Sequence, residues 1–78
     1  MSKYPIQGQA LRDALSQNDM SRAELARLTG LSPTAITFYC RGEKIMSLLN
    51  AAKIAQALGI SLEYLATGEA SRIKARTD

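Results

Sequence analysis

The sequence predicts an all-α fold, a compact bundle of five helices. Leucine, alanine and isoleucine dominate the apolar residues, and the β-branched runs that favour strands are missing. The two prolines are confined to an N-terminal arm (Pro5) and to a position where a helix can begin (Pro33). A chain of 78 residues has room for one core, so we expect residues 1–68 to form a single domain and residues 69–78 a flexible basic tail or linker.

The first two helices are predicted from their apolar spacing and end signals. Residues 1–7 are expected to form an arm, followed by a helix over residues 8–18 that buries Leu11, Ala14 and Leu15. The second helix begins after Ser21, with Glu24 three residues later, which is the spacing of a reciprocal capping box. Its predicted inward side chains are Leu25, Ala26, Leu28 and Thr29. Gly30 then allows a left-handed turn.

The third helix follows this turn at once, because Ser32 is an N-cap candidate and Pro33 suits the first helical position. Winding it at 3.6 residues per turn separates two sets of side chains. The predicted inward set is Ala35, Ile36, Tyr39 and Cys40, and the outward set is Thr34, Thr37, Phe38 and Arg41. Hydroxyls, a guanidinium and an aromatic ring can contact phosphates, base edges and thymine methyl groups. The outward stripe is therefore a candidate DNA-reading surface.

The fourth and fifth helices carry weaker chemical signals. Ser47 is an N-cap candidate for a helix through Leu58, which Gly59 ends. The predicted buried stripe of this helix is Leu48, Ala51, Ala52, Ile54, Ala55 and Leu58, with Asn50, Lys53 and Gln56 exposed. Ser61 then caps a short helix over residues 62–66, which Gly68 closes. Three apolar residues exceed the obvious needs of the core and are candidates for a dimer interface, namely Leu49, Ile60 and Tyr64.

Composition disfavours an enzyme or a metalloprotein. The chain has no histidine and one cysteine, so it lacks both a plausible zinc ligand set and the usual general base. We expect no cofactor, and we expect Cys40 to be a small buried apolar side chain. No apolar run is long enough to span a membrane and no secretion leader is evident, which favours a cytoplasmic protein. The net charge of +3 permits DNA binding without demonstrating it.

Two stretches of the chain resemble the lambda-type repressor and Cro family of helix-turn-helix proteins. They are SRAELARLTGLSPTAITFYCRG, residues 21–42, and LNAAKIAQALGISLEYLATGE, residues 49–69. The resemblance implies that the third helix enters the major groove of double-stranded DNA. Arg22 stands where many members have a glutamine, and Pro33 stands where a base-reading glutamine is frequent. We therefore expect bases to be read by Thr34, Thr37, Phe38 and Arg41. The residues expected beside the sugar-phosphate backbone of the DNA are Arg22, Ser32, Pro33 and Lys44.

The resulting hypothesis is a transcriptional repressor of phage or prophage origin that binds a palindromic operator as a homodimer, with an anti-repressor as a further possible partner. One alternative is an antitoxin-type regulator that also holds a toxin, and another is a helical protein-interaction module without DNA binding. Individual residues have simpler alternatives: Phe38 could pack on the following loop, Arg41 could bond the last helix carbonyls, and Arg22 and Lys44 could be solvated charges.

Overall fold

A computed structural model describes residues 2–69 of the chain. It contains five helices: α1 (Pro5–Gln17), α2 (Arg22–Thr29), α3 (Pro33–Cys40), α4 (Leu48–Leu58) and α5 (Leu62–Thr67). Residues 2–69 contain no strand, so the predicted all-α class and the order of the helices are confirmed. The predicted basic tail begins at Glu69, and the rest of it, residues 70–78, lies outside the described part of the chain.

The helices enclose one core. α3 packs against α1 and α2, while α5 packs against α1 and α4, and α2 also meets α4. Five apolar side chains and one thiol are almost fully buried in the centre: Leu11, Leu25, Ile36, Ile54, Leu65 and Cys40. Burial raises the pKa of the Cys40 thiol, and the positive charges of Arg22 and Arg12 offset this only in part. Cys40 is therefore a neutral core side chain, as the sequence predicted.

Helix α1 starts three residues before its predicted beginning. Pro5 occupies the first turn, where its missing amide proton costs nothing, and the Gly8 amide donates to the carbonyl of Tyr4 at 3.1 Å. The predicted arm of residues 1–7 was therefore too long. What precedes the helix is a short segment in which the amides of Lys3 and Tyr4 donate to the carbonyl of Gly42, just after α3.

The capping box of α2 is half formed. The Ser21 hydroxyl accepts from the Glu24 amide at 3.0 Å, as predicted. Within the described residues, however, the Glu24 carboxylate makes no return bond to Ser21, and it lies instead 3.9 Å from the Arg27 guanidinium. Gly30 ends α2 with φ +76°, so the chain reverses into α3 through the left-handed turn that a glycine was expected to supply.

Two predicted core leucines are exposed. Leu28 is 52% accessible because Leu25, Ala26 and Thr29 face the core and Leu28 falls on the flank of this short helix. Leu48 is 77% accessible because it opens the first turn of α4, whereas Met46, two residues earlier, is 9% accessible and joins the core. The predicted burial is confirmed at the end of α4, where Ile54, Ala55 and Leu58 are buried.

No helix within residues 2–69 has the length and apolar character needed to cross a membrane. The same residues contain no group of three or more His, Cys, Asp or Glu side chains placed to hold a metal ion.

Candidate nucleic-acid interface

Helix α3 is held by its inward face. The Ser32 hydroxyl accepts from the Ala35 amide at 3.0 Å, so the helix starts where the sequence predicted. Ile36 and Cys40 are fully buried and Tyr39 is 8% accessible. The Tyr39 hydroxyl accepts from the side-chain amide of Asn50 at 2.9 Å, which links α3 to α4 and gives a residue predicted as exposed a structural bond. These contacts fix which side of α3 faces outward.

The outward face carries the predicted stripe at two levels of exposure. Thr34 and Arg41 are exposed, and Thr37 and Phe38 are half-buried. Ser32 and Pro33 are exposed at the N-terminal end of the helix, and Arg22 at the start of α2 and Lys44 in the loop after α3 are also exposed. The positive charges of Arg22 and Arg12 lower the pKa of the Cys40 thiol in opposition to the larger effect of burial, and the Arg12 guanidinium donates to the Cys40 carbonyl at the end of α3. The predicted residues thus lie on or beside one outward-facing helix.

Phe38 is covered by a neighbouring cation. The Lys44 ammonium nitrogen lies 5.0 Å from the centre of the Phe38 ring, within the range of a cation–π interaction. Lys44 is therefore one residue of the following loop that contacts the ring. The pair presents a positive charge where a bare ring alone would present an apolar surface.

Arg41 has an acidic partner that sequence reasoning missed. Its guanidinium nitrogen Nη2 lies 2.9 Å from Oε2 of Glu43, across the single residue Gly42. Arg41 is the C-cap of α3, and its backbone amide donates to the Thr37 carbonyl at 3.0 Å. A charge pair two residues apart has no helical signature, because it depends on the reversal of the chain at Gly42.

The C-terminal end of α3 is anchored to the N-terminal segment. The Gly42 carbonyl accepts from the amides of both Lys3 and Tyr4 at 2.8 Å, and the Arg12 guanidinium donates to the Cys40 carbonyl. Gly8 lies against the same turn, where an added Cβ would be 2.9 Å from the Gly42 nitrogen. The sequence feature that could have indicated this junction is Gly8, because a glycine inside a helix often marks a close approach of two backbones.

Comparison with known proteins shows where this arrangement belongs. Residues 10–65, more than half of the chain, match the helix-turn-helix family. The chain belongs to that family of DNA-binding transcriptional regulators. An uncharacterised helix-turn-helix-type transcriptional regulator of Haemophilus influenzae is 45% identical over 47 residues, which are 60% of this chain and 20% of that protein. The chain thus matches about a fifth of the length of this curated relative.

Solved structures of regulators share the fold. The restriction-modification controller protein C.AhdI of Aeromonas hydrophila is 36% identical with a TM-score of 0.72, over 76% of this chain and 89% of that one. The clp gene regulator ClgR of Corynebacterium glutamicum is 30% identical with a TM-score of 0.73, over 77% and 64%. The hypothetical transcription factor NHTF of Neisseria is 29% identical with a TM-score of 0.76, over 94% and 82%. The regulator therefore has the predicted helix-turn-helix architecture. Its family is one of DNA-binding transcription regulators and is not a class of enzymes.

Proposed function

We propose that the regulator is a repressor that occupies a roughly palindromic operator as a dimer, with α3 in the major groove. The observation that carries this proposal is the division of α3: Ile36, Tyr39 and Cys40 are buried, while Thr34 and Arg41 point away from the core. A helix of about 10 to 12 Å diameter fits the major groove of B-form DNA, where each base pair presents its own pattern of donors and acceptors. No catalytic chemistry is required, because a protein bound over a promoter blocks access to it.

Within this proposal, base edges and phosphates are contacted by different residues. Thr34 and Arg41 are the exposed readers, and Thr37 and Phe38 present their outer edges to the same groove. Arg22 and Lys44 flank the helix and pair with phosphates. Ser32 and Pro33 bring the N-terminus of α3 to the backbone, where the positive end of the helix dipole favours phosphate.

Dimerisation is proposed through the residues predicted from the sequence. Leu49 is 65% exposed at the start of α4, and Ile60 and Tyr64 are half-buried at the edge of the core. Next to Leu49 in the chain, Leu48 lines an apolar cleft of about 330 Å³ between α4 and α5. Exposed leucines of this kind favour a second apolar surface as partner. Two copies related by a two-fold axis would place their α3 helices in successive major grooves, about 34 Å apart.

The proposal includes two candidates for the biological origin of the regulator. A phage or prophage repressor, with or without an anti-repressor partner, is the first candidate, and it would act in the cytoplasm where the DNA is. The second candidate is a regulator of a small gene cassette, of the antitoxin or controller type. It is supported by the 89% coverage of the restriction-modification controller protein, a small regulator of comparable length. A toxin or other cassette protein that co-purifies with the regulator would favour the second candidate.

Selection of bound duplexes from a random library tests the proposed function. We expect enrichment of sites with two related halves whose centres are about 10 base pairs, or a multiple of that, apart. A folded, helical protein that enriches no sequence would contradict operator binding and favour the protein-interaction module. Enrichment of single, unpaired half-sites would contradict the dimer while leaving sequence-specific binding intact.

The flanking cations should contribute affinity without specificity. Replacing Arg22 or Lys44 with alanine should weaken binding to operator and scrambled duplexes alike, because phosphates are present in every sequence. The slope of log K against log salt should become shallower by about 0.9 for each lost phosphate contact. Fluorescence titration at several salt concentrations measures both quantities.

Lys53→Ala is the charge-matched control, since Lys53 is exposed on α4 beside Leu28 and Gln56, away from α3's outward face. Equal slopes for Arg22→Ala, Lys44→Ala and this control would contradict the assignment.

A further inference from the structure

An acidic side chain lies among the cations of the proposed DNA surface. The Glu43 carboxylate is 2.9 Å from the Arg41 guanidinium, at the end of α3 where Arg41 and Lys44 are exposed. A carboxylate beside DNA repels the phosphate backbone and competes with it for the guanidinium. Its presence therefore opposes DNA binding by this surface.

The backbone holds Glu43 in place. Its amide donates to the Phe38 carbonyl at 3.0 Å, and the amide of Gly42 donates to the Tyr39 carbonyl at 3.0 Å. Gly42 has φ +70°, and its carbonyl accepts two bonds from the N-terminal segment. Glu43 therefore cannot withdraw from the end of α3 without breaking several backbone bonds. The carboxylate remains near the helix end when DNA arrives.

Arg41 is the movable member of the pair. Its side chain is 59% exposed and that of Glu43 is 28% exposed. An ion pair this open to solvent is weak, so a better partner can take the guanidinium. A guanine edge, with two acceptors matched to the guanidinium fork, is such a partner in the major groove. A phosphate is a poorer partner for the Arg41 guanidinium, because a single contact with it is mobile and is opposed by the adjacent carboxylate.

We propose that Glu43 is a specificity-determining residue that makes the DNA contact of Arg41 conditional on the base sequence, an inference that rests on the proposed function. On non-specific DNA, Arg41 stays paired with Glu43, and the carboxylate lowers the affinity of the whole surface for phosphates. On the operator, Arg41 leaves the carboxylate and makes the bidentate base contact instead. Glu43 thus lowers binding to all DNA but lowers it most where no correct base is present.

The variant Glu43→Gln tests this role because it keeps the shape of the side chain and removes its charge. Dissociation constants for the selected operator and for a scrambled duplex of equal length are measured by fluorescence anisotropy at several salt concentrations. Glu43→Gln should tighten binding to the scrambled duplex by about threefold or more at low salt and should tighten operator binding less. The ratio of operator affinity to scrambled-duplex affinity should therefore fall. The salt slope on the scrambled duplex should steepen by about 0.9, the value for one added phosphate contact.

Two further variants isolate the mechanism. Glu63→Gln removes an exposed carboxylate from α5 and should leave the affinity ratio unchanged. In an Arg41→Ala background, Glu43→Gln should change the salt slope less than it does in the wild type, because only the repulsion by the carboxylate is removed and no guanidinium is left to release. Unchanged affinities, an equal change on both duplexes, or weaker operator binding by Glu43→Gln would overturn the proposal, the last by making Glu43 a base reader. Wild-type protein that binds neither duplex would instead overturn the proposed function.

Discussion

Replacing Gly8 with alanine is expected to lower the free energy of unfolding by about 1 to 3 kcal/mol, the usual cost of forcing extra atoms into a packed site. An added Cβ would lie 2.9 Å from the Gly42 nitrogen, 3.0 Å from the Cys40 oxygen and 3.1 Å from the Gly42 Cα. All three are backbone atoms, so no side chain can rotate away to relieve the overlap. The gain in helix propensity from alanine, roughly 0.5 to 1 kcal/mol, is too small to offset it.

Urea or thermal unfolding followed by circular dichroism measures this effect. Ser16→Ala is a suitable control, because Ser16 is exposed on the same helix and alanine there should leave stability unchanged or slightly raise it. The Gly8 variant should also lose DNA affinity, since α1 and α3 meet at this junction and must move apart. A Gly8→Ala protein as stable as Ser16→Ala would contradict the close approach of the two backbones.

Replacing Thr34 or Arg41 with alanine is expected to weaken operator binding by about 1 to 3 kcal/mol, roughly 5- to 150-fold, and to relax specificity at one base position. Both side chains are exposed on α3, so neither truncation opens a cavity in the core. Arg41→Ala also leaves the Glu43 carboxylate without its cation, which adds repulsion to the lost contact.

Titration against operators that each carry one changed base pair measures the position at which discrimination is lost. Lys53→Ala controls for a lost positive charge away from α3. If Thr34→Ala and Arg41→Ala both bind the operator as the wild type does, α3 is not the reading helix, even though the fold belongs to a DNA-binding family.

The parts of the fold that the sequence predicted are those decided by local chemistry. Each of Ser21, Ser32, Ser47 and Ser61 accepts a bond from the amide three residues later, so the beginnings of four helices were predictable from a short window. The division of α3 into buried and outward faces was predictable for the same reason, because 3.6 residues per turn fixes it once the helix is known.

The parts that the sequence did not predict depend on contacts between distant segments. The close approach of Gly8 to Gly42 joins α1 to the end of α3, and the two glycines are far apart in the sequence. The burial of Met46 in place of Leu48 depends on where the loop before α4 meets the core. The pairing of Arg41 with Glu43 depends on the turn at Gly42, whose carbonyl accepts two bonds from the N-terminal segment. Helix propensity contains none of this information.

Amide chemical-shift mapping with the selected operator duplex shows whether the outward face of α3 enters the major groove. We expect the largest shifts on titration to fall in residues 33–41 and at Glu43 and Lys44, with small changes around Lys53 on α4. Large shifts confined to α4 and α5, with the amides of α3 unchanged, would contradict it.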